Sequence, residues 1–365
     1  RRGMKTGSLP SRIVVRGTNW VGDTVMSLPA AKELRRIFPF ANLTFWVPAG
    51  LASLVRATGI PDDIITFGAD AGGPFRRPFR IRKVLASGAF HMAVLFQNAF
   101  ESAFTAWLAG VPLRVGYPTD LRGPFLNLPV LLTPQIRQKH QVFYYLAITE
   151  HLETVFRGEA RSEPITPNCS ISLDAVSIER ARNLLSSTGI EGVGPVFSLC
   201  PGSVNSEAKR WPPEYFSCLG DQLIERMDAR IVFLGAPDER DLIDGIILGM
   251  RSPRKAVSFA GRADMVTSMA IMSMSRVVIS NDTGSAHLAV AAGAKVLTIF
   301  GPTSPGATAP YGSGVHVIHG EASCAPCKHF RCPRSDHQCM RSLRPEAVFR
   351  QVEWILLPQS RSKAR

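Results

Sequence analysis

Residues 277–301 read VVISNDTGSAHLAVAAGAKVLTIFG. Residues 277–280 are a short β-branched run, the pattern of a buried strand. Asn281, Asp282, Thr283 and Gly284 break it. An Ala-rich stretch over 285–292 then predicts a short helix stopping at Gly293, a residue suited to the left-handed turn that ends a helix. Residues 296–300 form the next strand, closed by Gly301 and Pro302. The stretch is therefore one β-α-β unit with an N-cap-rich turn after its first strand. Such a turn offers backbone N–H groups and the positive end of a helix dipole, and it suits a pyrophosphate. His287, in the first helical turn, can point into the same crevice. The plainer alternative makes Asp282 only a cap and His287 only a satisfied polar residue.

A chain of 365 residues with 45% hydrophobic content has ample core and predicts two domains rather than one. Lys and Arg outnumber Asp and Glu by 42 to 29, a net charge of +13. Acidic partners follow: phosphorylated sugars, an anionic membrane surface or nucleic acid. Residues 1–10 are basic but no continuous apolar run follows them, so they are expected to be a disordered leader and not a signal peptide. No stretch of 18 apolar residues is present to span a membrane. Seven cysteines, four of them clustered, fit a cytosolic location.

The rest of the chain repeats the strand–helix alternation. Residues 12–16 are a buried strand, 17–24 (GTNWVGDT) a Gly-punctuated turn, and 25–38 a helix containing Pro29. Further strands are expected at 42–47, 64–67, 92–96 and 113–117, and a helix at 140–152. Such alternation predicts a parallel sheet covered on both faces, with ligands beyond the carboxyl ends of its strands. The first turn is no dinucleotide fingerprint, because its glycines are five apart and Asp23 follows the second. Asp23 is either a plain cap or a carboxylate aimed into a cleft. Between Asp70 and Glu101 there is no acid, while Arg76, Arg77, Arg80, Arg82 and Lys83 crowd together with Phe75 and Phe79. This Gly/Pro-rich segment is expected to be a surface loop, either merely solvated or a clamp for an anionic acceptor.

Residues 157–168 are polar, contain Pro164 and Pro167, and read as a linker. A helix at 173–187 opens the second half, followed by strands at 196–199, 231–234 and 256–259 and a helix at 264–274. Three loops of this half are predicted to converge. Residues 201–209 offer Ser203, Asn205 and the Lys209 ammonium. Residues 235–239 offer a carboxylate for ribose hydroxyls, Asp238 or Glu239, with Glu239 preferred. Residues 281–287 offer the helix N-terminus. Together they suit a nucleoside diphosphate, with Lys209 and the helix dipole favouring a leaving diphosphate. No Asp-x-Asp occurs, so no metal-held diphosphate is indicated.

Cys324, Cys327, Cys332 and Cys339 lie within 16 residues, with His329 and His337 among them. By ligand type they suit a compact structural zinc site. Free or disulfide-forming thiols and an iron–sulfur cluster are the alternatives. Residues 345–357 predict a last helix.

These segments together resemble the family 9 glycosyltransferases, the ADP-heptose:lipopolysaccharide heptosyltransferases, and most closely the heptosyltransferase II branch. The similar stretches are RIVVRGTNWVGDTVMSLPAAKELRRIFP, VPLRVGYPTDLRG, PGSVNSEAKRWPPEYF, SNDTGSAHLAVAAGAKVLTIFGPTSPGATAPYG and CAPCKHFRCPRSDHQCMRSLRPEAV, in order over nearly the whole chain. The resemblance implies an α/β fold of GT-B type: two Rossmann-like domains with the active site in the cleft between them. The first, 11–165, would bind the acceptor. The second, 170–342, would bind the ADP-sugar, and the helix at 345–357 would pack back on the first. The implied activity is inverting, metal-independent transfer of L-glycero-D-manno-heptose from ADP-heptose to the heptose/Kdo inner core of lipopolysaccharide, with no cofactor required. The G-D-x4-L-P motif maps a base onto Asp23, and K-R-W-P maps a phosphate-binding lysine onto Lys209. D-T-G-x-x-H maps donor contacts onto Asp282, Thr283, Gly284 and His287. Acceptor contacts are expected at Asn19, Trp20, Arg76, Arg77, Arg80 and Arg122. A lipid-anchored acceptor implies a cytoplasmic protein held peripherally on the inner face of the inner membrane. The competing expectations are a family 9 enzyme with another donor or acceptor, and a basic zinc-knuckle protein that binds nucleic acid.

Overall fold

The computed structural model describes residues 9–68, 76–158, 163–190, 193–204 and 206–357. The chain divides between Cys169 and Ser170 into two compact units. The first contains β1 (Arg12–Arg16), α1 (Val21–Ile37), β2 (Asn42–Pro48), α2 (Ala52–Ala57), β3 (Asp63–Phe67) and α3 (Arg77–Ser87). It continues with β4 (Met92–Leu95), α4 (Phe100–Leu108), β5 (Leu113–Gly116), β6 (Leu128–Pro129), α5 (Pro134–Gln138) and α6 (Gln141–Arg157). Its sheet runs in the order β3-β2-β1-β4-β5-β6, all parallel.

The second unit opens with α7 (Ala175–Ser186), β7 (Val196–Cys200), α8 (Pro213–Met227), β8 (Arg230–Phe233), α9 (Arg240–Leu248), β9 (Ala256–Ser258) and α10 (Met265–Met274). Then follow β10 (Val278–Asn281), α11 (Gly284–Ala291), β11 (Val296–Phe300), α12 (Pro305–Thr308), β12 (Val315–His319), α13 (Gln338–Arg341) and α14 (Pro345–Leu356). Its sheet is β12-β11-β10-β7-β8-β9, again all parallel. The two sheets share one topology. In each the strand order reverses beside the first strand, at β1/β4 in one and β7/β10 in the other. That switch point is where an open parallel sheet leaves a crevice beyond its carboxyl ends.

The central strands are buried because they are covered on both faces. β10 and β11 are buried at every position, which is why 277–301 reads as two uninterrupted apolar runs. Between them α11 stops at the predicted place: Gly293 has φ +79°, open to glycine at no steric cost. Asp264 caps α10 by accepting from Thr267 N at 2.7 Å.

One expectation is corrected. The basic stretch after Asp70 is not a loop where it is described: Arg77–Ser87 is helical, and Pro78, Ile81 and Leu85 recur at helical spacing on its buried face. Phe75 lies outside the described residues, as do 1–8 of the expected leader and 159–162 of the expected linker. α14 packs within the second unit. Val348, Phe349, Val352 and Ile355 belong to the second unit's own core, against α8 and β12. α9 and β12 were not foreseen.

Candidate active site

In the second unit the loops after β7, β8 and β10 follow three adjacent strands, and polar contacts tie them together. Asn281, fully buried at the end of β10, donates Nδ2–H to Pro201 O at 2.7 Å and accepts from Trp211 N at 3.1 Å. It fixes both ends of the loop that carries Lys209. Lys209 Nζ then reaches Asp282 Oδ2 at 2.7 Å and Asp282 O at 3.2 Å. Asp282 is 3% exposed, and its Oδ2 also accepts from Thr303 Oγ1 at 2.6 Å. A buried carboxylate with two charge-assisted or hydroxyl partners holds them firmly. Asp282 therefore does not cap α11. The cap position is Thr283, which is extended and makes no side-chain capping bond. Ala286 N–H turns back to Thr283 O at 3.1 Å, while no capping side chain covers the helix start at Gly284 and Ser285. His287 sits in that turn, 4% exposed.

The β8 loop closes the same side. Glu239, 8% exposed, accepts Ala236 N–H at 2.9 Å on Oε2. Burial raises its carboxyl above the ordinary range, opposed by that backbone bond. Gly202 lies against it so closely that a Cβ there would stand 1.9 Å from Glu239 Oε1. Ser203 is buried and its carbonyl takes Arg210 Nη2–H at 2.9 Å. The predicted convergence of Ser203, Lys209, Glu239, Asp282, Thr283, Gly284 and His287 is thus observed as a set of contacting loops. Asn205 lies outside the described residues. Cys200, beneath them, has its thiol pushed up to about 12 by burial and by Glu239.

The cysteine-rich segment is a brace on this loop cluster. Ala208 N donates to Phe330 O at 3.0 Å and Ser206 Oγ to the same carbonyl at 3.2 Å. His337 Nε2 pairs with Ala208 O at 2.8 Å, and Lys328 N with Pro302 O at 2.8 Å. Cys324, Cys327, Cys332 and Cys339 line one pocket with Ala208 and Pro302, and all are free thiols. Burial and its three cysteine neighbours push the Cys339 thiol up to about 11. The donor set would suit zinc, but among the described residues no three His, Cys, Asp or Glu groups stand where they could hold a metal ion. The zinc expectation finds no ready coordination set.

In the first unit the turn after β1 is held from below. Arg16, 4% exposed, donates Nη2–H to Asn19 Oδ1 at 2.6 Å while its guanidinium lies 4.9 Å from the Trp46 ring and 4.8 Å from the Phe67 ring. Burial lowers its pKa to about 9. Trp20, half exposed, begins α1, and its carbonyl accepts from Thr24 N at 2.9 Å. Asp23 falls in the first helical turn, at the dipole's positive end. Tyr145 of α6 donates Oη–H to Asp23 Oδ1 at 3.4 Å. Burial first, and then the Asp23 charge, raise the Tyr145 pKa well above 10, so this hydroxyl stays a donor at any working pH. Neither Arg16 nor Tyr145 was foreseen, and no local motif marks them.

The expected acceptor cations separate. Arg76 and Arg80 are exposed. Arg77 pairs with Glu101 at 3.4 Å and stacks 5.2 Å from Phe67. Arg122 is fully buried and donates to Tyr117 O at 2.7 Å, to Asn98 Oδ1 at 2.7 Å and to Gln97 O. Its guanidinium locks the loop after β4 at the switch point. Burial lowers its pKa to about 10, opposed by Tyr144 and Asp120. Arg122 is thus a structural arginine and not a surface contact for an acceptor.

A model of glycosyltransferase family 9 (heptosyltransferase) matches residues 78–337. The chain belongs to glycosyltransferase family 9. Lipooligosaccharide heptosyltransferase 2 of Haemophilus ducreyi is 26% identical over 94% of this chain and 99% of its own length. Lipopolysaccharide heptosyltransferase 1 of Pseudomonas aeruginosa is 30% identical over 95% and 98%. Among solved structures, E. coli ADP-heptose LPS heptosyltransferase II superimposes with a TM-score of 0.80 over 95% of this chain and 98% of that one, at 21% identity. The fold of this family 9 glycosyltransferase is therefore GT-B, as its sequence resemblance implied. The zinc-knuckle nucleic-acid protein gives way to a transferase.

Proposed function

We propose that this glycosyltransferase moves L-glycero-D-manno-heptose from ADP-heptose to the heptose/Kdo inner core of lipopolysaccharide, with inversion and without a catalytic metal. The observation that carries the reading is the Lys209–Asp282 pair beside the uncapped N-terminus of α11, at the switch point of the second sheet. A diphosphate in that position meets backbone N–H groups, a helix dipole and a lysine. Lys209 has three donors, and its bonds to Asp282 leave one for phosphate. Glu239 faces the same loops and suits the ribose hydroxyls. The names of the heptosyltransferase 1 and 2 relatives support the sugar and the core acceptor. ADP-heptose stands in the name of the E. coli structure.

The chemistry is then one displacement. Asp23 takes the proton of an acceptor hydroxyl, whose oxygen attacks the anomeric carbon from the face opposite the diphosphate. The bond from that carbon to the diphosphate oxygen breaks, and ADP leaves with its charge met by Lys209 and α11. One displacement inverts the anomeric centre. A carboxylate is a weak base, so alignment of hydroxyl and anomeric carbon does much of the work. Asn19 and Trp20 border Asp23 and are assigned to the acceptor, with Arg76 and Arg80 as contacts for its acidic groups. A lipid-anchored acceptor places the protein at the inner face of the inner membrane. Among the described residues no helix is long and apolar enough to cross a membrane, and contact would be peripheral.

The test is transfer from ADP-heptose to heptosylated Kdo2-lipid A, with EDTA present and the product's new linkage assigned by NMR. Turnover in EDTA with the anomeric configuration inverted is expected. Retention of configuration, or loss of turnover restored by a divalent cation, contradicts the mechanism; turnover only with another sugar donor moves the substrate.

A further inference from the structure

We infer that the outer face of α3 and α4 is the surface by which this protein docks on an anionic lipid bilayer. The face combines two features that soluble surfaces seldom combine. The first is an aromatic cluster. Phe104 stacks 5.7 Å from Phe100 and 5.8 Å from Trp107, and meets Phe125 at 5.4 Å and Phe79 at 6.4 Å. These rings are not a closed core: Phe79 is 53% exposed, Trp107 47% and Phe100 44%. The second feature is charge of one sign. Arg76, Arg80, Arg82 and Lys83 are all exposed on or at the start of α3, and no acid occurs from residue 71 to residue 100.

Helical geometry puts the two features on one side. Pro78, Ile81 and Leu85 face inward. Phe79, Lys83 and the exposed Val84 follow at i, i+4 and i+5 on the other side, flanked by Arg80 and Arg82. Exposed apolar patches rimmed by charge mark interaction sites. Phe and Trp beside Lys and Arg is the composition of a helix lying at a headgroup boundary, where rings enter the interface and cations meet anionic lipid. Charge complementarity selects the bilayer over a second copy of this chain, since two such faces would repel one another. The purpose, meeting a lipid-anchored acceptor, rests on the proposed function; the surface itself rests on these residues.

The experiment is cosedimentation of the purified protein with vesicles of phosphatidylcholine alone or with phosphatidylglycerol, alongside tryptophan emission. Binding is expected only with phosphatidylglycerol, weakening as salt rises, with a blue shift that Trp107→Phe removes. Arg82→Glu/Lys83→Glu is expected to weaken binding at least about tenfold, and Phe79→Ser/Trp107→Ser to a similar degree, both with unchanged circular dichroism. No binding to phosphatidylglycerol vesicles overturns the inference, as does equal binding by both double variants. So does self-association of the wild type that Trp107→Ser abolishes in the absence of vesicle binding. Because vesicle binding is read without turnover, its failure leaves the transferase reading intact, and failed turnover leaves this surface intact.

Discussion

Glu239, assigned to the ribose in the proposed function, is also a buried group whose protonation bears on stability. Burial raises its carboxyl above the ordinary 4.5 in the folded protein. The folded state therefore keeps this proton to a higher pH than the unfolded chain does. Its favourable contribution is complete below the unfolded pKa and is lost as pH rises through the folded one. Glu239→Gln keeps an oxygen for Ala236 N–H and is expected to flatten that fall on the alkaline side of 4.5. Unfolding free energies from about pH 4 to about pH 8 check this; a wild-type slope in the variant contradicts it. ADP affinity should drop in the same variant if the charge meets ribose. At this scale the sequence was most legible where the signal is local, as in the placing of Asp23 in the first turn of α1. It was silent where a partner comes from elsewhere. Tyr145 is 122 residues from Asp23, and no spacing connects them. Arg122 misled for a related reason: an arginine in a turn reads as exposed, and only the packing of Gln97, Asn98 and Tyr117 around it shows otherwise.

Elements with a clean period were read nearly to the residue, and those with mixed signals were not. β10, α11 and β11 follow from apolar runs broken by capping residues and stopped by Gly293. α3 was missed because Gly and Pro before it suggest a loop, while its apolar positions are few and separated by arginines. α14 was placed correctly in sequence, but which core it joins is not a local property. Loops between elements carry the sharpest structural demand at Gly202. A Cβ there would also lie 2.0 Å from Glu239 Cδ, so Gly202→Ala must displace a buried carboxylate. It is expected to destabilise the protein by about 1–3 kcal/mol and to weaken ADP binding at least about tenfold. Gly245→Ala in α9, where a Cβ meets nothing within 4 Å, is the control and should be neutral or stabilising. Denaturant midpoints and calorimetric titration with ADP read both; an unaltered Gly202→Ala protein contradicts the close packing of the two loops.

The molecule as a whole is two copies of one topology, each with a switch point of the kind at which open parallel sheets bind ligands. Alternation of strand and helix predicted both parallel sheets, because a buried parallel strand leaves an unbroken apolar run. The unequal roles proposed for the two halves are not written in that alternation. It lies in the loops: a carboxylate at the first helix of one unit, a lysine–carboxylate pair at an uncapped helix of the other. Net charge of +13 fits phosphorylated and lipid-anchored substrates without choosing between them. The central claim is this division of labour. The direct measurement is transfer rate and ADP affinity, side by side, for the wild type, Asp23→Asn and Lys209→Met. Asp23→Asn is expected to lose at least about a hundredfold in turnover with ADP affinity unchanged. Lys209→Met is expected to bind ADP at least about tenfold more weakly. Full turnover by Asp23→Asn, or ADP binding untouched by Lys209→Met, would contradict the account.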